Sequence, residues 1–192
     1  MNVLILNLNN NVSPLFYLNK KIYIKRMTLT AETLLAEGNH RAKVASKRAY
    51  IHLVGLGLGV WRVHNEQIEV FGRIFVEAVQ RMKPGNVADL DFSWVFHQKE
   101  GDRPRISLTD GSEVSSGDTI PGTSTVCHIS QREPWSPLKE EESSGKLIVA
   151  TWAWDGMSLV GNEYWAGSLQ SSSDPAAACC TQIQAAKQQK FQ

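Results

Sequence analysis

The sequence has few of the features that mark several large classes of protein. Its 192 residues include only three cysteines, an odd number that makes a poor disulfide framework, and five histidines without metal-ligand spacing. The formal net charge is +1, from 20 basic and 19 acidic side chains. A surface that binds nucleic acid or an anionic membrane by bulk electrostatics needs a clear positive field. We therefore expect no nucleic-acid partner, no membrane partner and no metal site.

Long apolar runs are absent as well. No segment approaches the length of a membrane-spanning helix. The opening residues, MNVLILNLNNN, are apolar for a few positions only and follow no basic stretch, so they make a poor signal peptide. Cysteines that lack an obvious disulfide pairing are typical of a reducing compartment. We expect a cytoplasmic protein that acts as a monomer.

The first part of the chain is predicted to be an extension, residues 1–42, that packs on a main domain formed by residues 43–192. The total length suits one sizeable core rather than two. Ile22 and Ile24 alternate with polar residues, as in a short strand. A helix is predicted over residues 30–46, with Thr30 as its N-cap and with Gly38 as a point where it can break.

A strand, a glycine loop and a helix follow in direct succession. The strand is predicted over residues 49–54, the loop is GLGLGVW, and the helix covers residues 66–82. Asn65 is placed to cap the helix and Pro84 to stop it. One face of this helix carries large apolar residues at helical spacing: Phe71, Ile74, Phe75, Ala78 and Met82.

Further strands are predicted over residues 89–96, 105–108, 125–129 and 146–152. In the first of these, one face is apolar: Leu90, Phe92, Trp94 and Phe96. The last, KLIVATW, is continuously apolar, as expected of a strand covered on both faces. A helix is predicted from Asp174-Pro175 onwards. Strands that alternate with helices indicate an α/β fold of three layers, with a mixed and largely parallel sheet flanked by helices.

The glycine loop is the first candidate for chemistry. Gly55, Gly57 and Gly59 leave one side of the backbone without Cβ atoms, so a ligand can approach the main-chain N–H groups closely. Such groups between a strand and a helix can hold a diphosphate. The same spacing is equally typical of a tight turn that packs under a helix. Trp61 can stack on a base, although filling the core is the more usual role of a single tryptophan.

The second candidate is the polar segment that follows the last strand, Thr151 to Pro175. It carries three acids and an amide: Asp155, Asn162, Glu163 and Asp174. In open α/β sheets, ligands bind beyond the carboxyl ends of the strands. Asp155 and Glu163 can accept hydrogen bonds from the hydroxyl groups of a ribose, or orient a water molecule. Asp174 fits a helix N-cap as well as it fits catalysis.

These segments together resemble a known family. VGLGLGVW with its helix, and AWDGMSLVGNEYWAG with SSDPAAACC, are similar to the MavL-like macrodomain ADP-ribosylhydrolases and, more distantly, to the poly(ADP-ribose) glycohydrolase macrodomains. The resemblance covers roughly residues 43 to 183. It implies a macrodomain-like fold for residues 43–192, a bound ADP-ribose, no required cofactor, and an ADP-ribosylated protein as substrate, with ubiquitin as one example.

The same resemblance assigns roles to the two segments. The catalytic residues that it implies are Asp155, Glu163 and Asp174. The ligand-binding residues that it implies are Gly55, Gly57, Leu58, Gly59, Val60, Trp61, Gly156 and Asn162. The glycines would lie against the diphosphate, and the acidic loop would hold the distal ribose.

Two other functions stay open at this point. One is a non-catalytic reader that binds ADP-ribose and only hydrogen-bonds its ribose. The other is a dinucleotide-dependent oxidoreductase, which the glycine spacing disfavours because it lacks the G-x-G-x-x-G pattern.

Overall fold

The computed structural model describes residues 4–6, 15–59, 62–96, 104–132, 136–138 and 145–151. Along them run β1 (Leu4–Leu6), β2 (Leu15–Tyr17), α1 (Lys20–Val44), β3 (Arg48–Leu53), α2 (Glu66–Met82), β4 (Val87–Ser93), β5 (Arg105–Ser107), β6 (Glu113–Ser115), β7 (Val126–Ser130) and β8 (Lys146–Ala150). Residues 1–152 form one compact unit. Within the described ranges, no helix is long and apolar enough to cross a membrane.

Four parallel strands form the central sheet, in the order β7-β4-β3-β8. Helix α2 connects β3 to its parallel neighbour β4, which makes a βαβ unit. The pairs β1-β2 and β5-β6 are antiparallel and separate from this sheet. The predicted α/β class, with a largely parallel sheet flanked by helices, is confirmed and is consistent with three layers. Because all four strands run in one direction, their carboxyl ends share one edge.

One face of the sheet is apolar and lies under the two helices. Side chains alternate between the faces of a strand. The apolar face carries Ala49, Ile51, Leu53, Leu90, Phe92, Cys127 and Ile129, all of them buried. Phe92 meets the rings of Phe71 and Phe75 from α2 edge-on, at centroid distances of 6.4 and 6.3 Å. These contacts form the core of the unit.

Helix α1 approaches the same face unusually closely. A Cβ atom placed on Gly38 would lie only 2.7 Å from Cδ1 of Ile51, so the glycine is what permits this packing distance. The sequence allowed a break of the helix at Gly38, but α1 continues through this residue to Val44.

The N-terminal prediction was wrong in two respects. Ile22 and Ile24 do not form a strand, because α1 begins at Lys20, where Asn19 Oδ1 accepts a hydrogen bond from Ile22 N–H at 3.1 Å. Thr30 is not an N-cap but a residue inside the helix, and its hydroxyl donates to the carbonyl of Arg26. Two alternating residues are too short a pattern to outweigh a helical burial pattern, which here includes Tyr23, Ala31, Leu35, Gly38 and Ala42.

Helix α2 has the predicted bounds, but its ends are built differently. Asn65 occupies the N-cap position and makes no side-chain cap hydrogen bond. At the other end, the helix ends at Met82, because the next residue, Lys83, is the C-cap and adopts the left-handed conformation with φ of 46°, ahead of Pro84. Of the predicted apolar face, Phe71, Ile74, Phe75 and Ala78 are buried, and Met82 is half-buried.

Strand β4 ends earlier than predicted. Trp94 has φ of 58° and its side chain is 56% exposed, so it lies outside the strand and outside the apolar face. All seven residues of β4 are buried, on both faces of the sheet. The predicted apolar face is therefore confirmed for Leu90 and Phe92, and Asp89 and Asp91 are buried on the opposite face.

The remaining strands follow the prediction with small changes. β5 and β7 lie where short strands were expected, whereas β1, β2 and β6 were not predicted. β8 ends at Ala150, and its side chains are half-buried or exposed, with Ile148 40% exposed, instead of covered on both faces. Helix α1 runs through the predicted boundary at residue 42, and the division into an extension and a main domain stays a prediction.

Candidate functional site

The glycine loop leaves the sheet at the carboxyl end of β3. Val54, the residue directly before the loop, is fixed by a neighbouring strand. The hydroxyl of Thr151, which follows β8, accepts a hydrogen bond from Val54 N–H at 3.0 Å and donates to the carbonyl of His52 at 3.1 Å. Two turns then fold the loop, with Leu56 N–H bound to Val54 O and Leu58 N–H bound to Gly55 O. Thr151 thus ties the start of the loop to the sheet edge.

Alternate N–H groups of this loop have no partner within the described part of the chain. Those of Leu56 and Leu58 are used in the turns, whereas those of Gly55, Gly57 and Gly59 donate no hydrogen bond there. Gly57 has φ of 73°, which few side chains tolerate. No heavy atom lies within 4 Å of a Cβ placed on Gly57 or Gly59. Unpartnered N–H groups beside open space suit an anionic ligand.

The backbone N–H groups at the start of α2 and just before it, by contrast, already donate to protein side chains. Gln67 is fully buried, and its Oε1 accepts hydrogen bonds from the N–H groups of Val63 and His64 at 2.7 and 2.9 Å. Nδ1 of His64 accepts from Glu66 N–H at 3.2 Å. An anion would therefore be held by the loop rather than by the N-terminus of the helix.

The second face of the sheet carries a buried polar network that the sequence analysis did not predict. Tyr50 of β3 and Ser130 of β7 each donate a hydroxyl hydrogen bond to Oδ2 of Asp91, both at 3.0 Å. His52 Nδ1 lies 3.6 Å from the same oxygen, and the side chains of His52 and Asp91 are fully buried. Parallel register places all four residues on the face opposite the apolar core.

A second acid on this face is paired with two basic groups. Asp89 lies 2.9 Å from Nε2 of His128 and 2.8 Å from Nζ of Lys146. Burial alone would raise the pKa of Asp89, but the hydrogen bonds and charges of His128 and Lys146 outweigh it and lower the pKa below its ordinary value. The acid is therefore a charged part of the network rather than a proton donor.

Arg132 brings a cationic group to the carboxyl edge of the sheet. Its Cζ lies 5.6 Å from the centre of the Tyr50 ring, and its carbonyl accepts a hydrogen bond from the hydroxyl of Ser93. Both terminal nitrogens of its guanidinium group are buried and have no hydrogen-bond partner among the described residues. A guanidinium in this state is suited to an incoming carboxylate or phosphate.

Sequence reasoning missed Thr151 and Arg132 because each is a single polar residue after a strand. Such residues gain a role only from the strands that lie beside them in the sheet. Asp89 and Asp91 could have been noticed in the sequence, because they alternate with large apolar residues in a predicted strand. Acids are seldom buried in a strand unless they are paired with other polar groups.

The described residues do not support a cysteine nucleophile or a metal site. Burial, with a smaller contribution from Asp91 and Asp118, raises the pKa of the Cys127 thiol to about 12, so it is not a nucleophile. No group of three or more His, Cys, Asp or Glu side chains in this part of the chain could hold a metal ion.

Of the predicted site residues, Gly55, Gly57, Leu58 and Gly59 lie at the carboxyl edge, in the loop just described. The others lie outside the described residues, and their positions stay predictions: Val60, Trp61, Asp155, Gly156, Asn162, Glu163 and Asp174. The helix predicted from Asp174 lies outside them too.

Comparison with known proteins identifies the class. The family model described as "ADP-ribosylhydrolase MavL-like" matches residues 6–191. The chain is 35% identical over 166 residues to ADP-ribosylarginine hydrolase CG2909 of Drosophila melanogaster, covering 83% of this chain and 31% of that protein. It is 38% identical over 161 residues to ADP-ribosylarginine hydrolase CG3568 of the same organism, covering 83% of this chain and 30% of that protein.

The chain belongs to the MavL-like ADP-ribosylhydrolase family. The match begins far ahead of the segments that suggested the resemblance, so α1 is part of the family's fold as well. The chain spans about a third of the length of these two curated relatives.

Proposed function

We propose that this chain binds ADP-ribose and hydrolyses the bond between its distal ribose and a side chain of a modified protein. The observation that carries the proposal is the glycine loop at the carboxyl edge of a parallel sheet. Three alternate N–H groups of the loop have no partner among the described residues, and the Cβ positions of Gly57 and Gly59 face open space. A diphosphate is the part of ADP-ribose that such a loop would hold. Arg132 would supply a positive charge at the same edge.

The proposed chemistry takes place at the anomeric carbon of the distal ribose. As the bond to the protein side chain breaks, positive charge develops on the ribose, and carboxylates stabilise it. One carboxylate accepts a proton from the attacking water, and the departing side chain regains a proton as it leaves. The proposed carboxylates are Asp155, Glu163 and Asp174. The first of them follows Thr151, at the exit of β8, by only four residues.

The side chain that carries ADP-ribose in this proposal is arginine, since both relatives are named ADP-ribosylarginine hydrolases. Ubiquitin remains a candidate for the modified protein. The reaction consumes only water and uses no metal or organic cofactor in this proposal, so activity should persist in EDTA. The protein would act as a monomer in the cytoplasm.

The loop is tested by one glycine that can accept a side chain without backbone strain. Gly59 has no positive φ and has open space around its Cβ position. Gly59→Val should lower ADP-ribose affinity at least about tenfold, roughly 1.4 kcal/mol, because the new side chain occupies the space assigned to phosphate. Calorimetry with ADP-ribose and AMP measures this, and the wild type should prefer ADP-ribose.

Gly85→Val is the matched control. Gly85 also has open space and no positive φ, but it lies just before β4, at the amino edge of the sheet. Equal loss of binding in both variants would show that the effect is not local to the loop. Gly57→Val is a poorer test, since φ of 73° strains any branched residue whether or not a ligand binds.

Substitution of the three acids distinguishes a hydrolase from a reader that only binds ADP-ribose. Asp155→Ala, Glu163→Ala and Asp174→Ala should slow release of ADP-ribose from arginine-modified protein strongly. At least one of the first two should still bind ADP-ribose within about tenfold of wild type, since a catalytic carboxylate acts mainly in the transition state. Single-turnover release of label is the assay. A wild type that binds tightly and releases nothing, from ubiquitin or from other modified proteins, is a reader.

A further inference from the structure

One residue, Thr151, makes three hydrogen bonds with the strand that leads into the glycine loop. Its backbone N–H donates to the carbonyl of His52 at 3.0 Å, and its hydroxyl donates to the same carbonyl at 3.1 Å. The hydroxyl also accepts a hydrogen bond from Val54 N–H at 3.0 Å. Thr151 is only 8% exposed, so water competes little for these bonds. The end of β3 is therefore held by the side chain of Thr151 as well as by its backbone.

The backbone pairing of β3 with β8 ends just before this point. Its last pair is His52 with Ala150. Val54 lies beyond that pair, and its N–H is bound by the Thr151 hydroxyl instead of by a strand carbonyl. A valine at position 151 would have nearly the same shape and suit the end of a strand equally well, but it could not accept this bond. The hydroxyl is therefore the group that fixes Val54.

The orientation of Val54 determines where the first donor of the loop points. The carbonyl of Val54 accepts a hydrogen bond from Leu56 N–H at 2.8 Å, so its backbone is held on both sides. The peptide group that joins Val54 to Gly55 is planar and trans, so Gly55 N–H points away from that carbonyl. This N–H is one of the three in the loop without a partner among the described residues. Thr151 thus sets the direction of a donor that it does not touch.

We infer that Thr151 is a positioning residue for the diphosphate of ADP-ribose, an inference that rests on the proposed function. Its hydroxyl orients the Gly55 N–H toward the ligand through Val54. A donor that is held in the right direction before binding loses less conformational freedom when the ligand arrives. Without the hydroxyl, Val54 N–H would lose its acceptor and the start of the loop would be free to turn. The loss would then fall on ligand affinity as well as on stability.

The test removes the hydroxyl and keeps the shape of the side chain. Thr151→Val should bind ADP-ribose at least about fivefold more weakly than wild type, an effect of the size expected for one hydrogen bond. Thr151→Ser keeps the hydroxyl and should bind within about twofold of wild type. Calorimetry with ADP-ribose measures both affinities. A serine variant as weak as the valine variant would show that the hydroxyl is not the group that matters.

Thr125→Val is the matched control. Thr125 is also buried, and its hydroxyl donates to the carbonyl of Val87 at 3.0 Å, at the amino end of β4. Urea unfolding measures the loss of stability in each valine variant, but only Thr151→Val should lose affinity. Unchanged affinity in Thr151→Val, or an equal loss in the two valine variants, would overturn the inference and leave the proposed function in place. If wild type binds no ADP-ribose, both proposals fail.

Amide hydrogen exchange on the unaltered protein decides the matter should Thr151→Val not fold. In the free protein, the Val54 amide should exchange slowly because Thr151 holds it, and the Gly55 amide should exchange quickly. Bound ADP-ribose should slow exchange of the Gly55 amide at least about tenfold. If the Val54 amide exchanges as fast as the Gly55 amide in the free protein, or if bound ADP-ribose leaves Gly55 unchanged, Thr151 does not orient this donor toward the ligand.

Discussion

The two faces of the central sheet are built on opposite physical principles. The face under α1 and α2 is apolar throughout and packs aromatic rings against each other. The other face buries two acids and a histidine, and holds them by hydrogen bonds and by ion pairs that include the partly exposed His128 and Lys146. Both faces are formed by the same four strands, since alternate residues point to opposite sides. The same strands are therefore buried by apolar packing on one face and by hydrogen bonds and ion pairs on the other.

The apolar face should give the largest effect on stability. Phe75 is fully buried and touches Phe71 and Phe92. Phe75→Ala should lower the free energy of unfolding by about 3–5 kcal/mol, from lost burial and the cavity left behind. Urea unfolding measures it. Leu29→Ala, on the exposed side of α1, is the control and should change stability by less than about 0.5 kcal/mol. Similar small losses in both would mean that α2 does not form the core.

The polar face should give a smaller loss through a different mechanism. Asp91→Asn keeps the shape of the side chain but weakens the acceptor shared by Tyr50 and Ser130. We expect a loss of about 1–3 kcal/mol in the free energy of unfolding. The exposed Glu69→Gln on α2 serves as control and should behave as wild type. A neutral or stabilising effect of Asp91→Asn would show that the network is not important for stability.

The smallest effect is a pH dependence of stability that comes from Asp89 on the polar face. The pKa of Asp89 is lower in the folded protein than its ordinary value of 3.8, so the folded protein binds this proton less readily than the unfolded chain does. Its contribution to stability is present above that value and is lost as the pH falls through the lowered pKa. Unfolding free energies from neutral pH to below 3.8 measure it. Asp89→Asn should flatten the acid slope, and an unchanged slope would assign the loss to other acids.

The strand-loop-helix unit and the last strands were predictable because local patterns suffice for them. β3 and α2 lie within a residue of their predicted bounds, since a compact apolar run and a long amphipathic period are both local properties of the sequence. The first half of α1 was not predicted, because its helical burial pattern depends on the sheet that it covers. Trp94 was misplaced for a similar reason: alternation continued in the sequence after the left-handed backbone had ended the strand.

What the sequence determined by itself is the glycine loop and its place between a strand and a helix, because missing Cβ atoms and local periodicity are properties of neighbouring residues. The sequence also indicated the family, because its two motifs are specific when they occur together. Only the tertiary structure decided that Thr151 fixes the loop, that Arg132 reaches the same edge, and that Asp89 and Asp91 are buried among partners from other strands. These residues are distant along the chain, and parallel register brings them together.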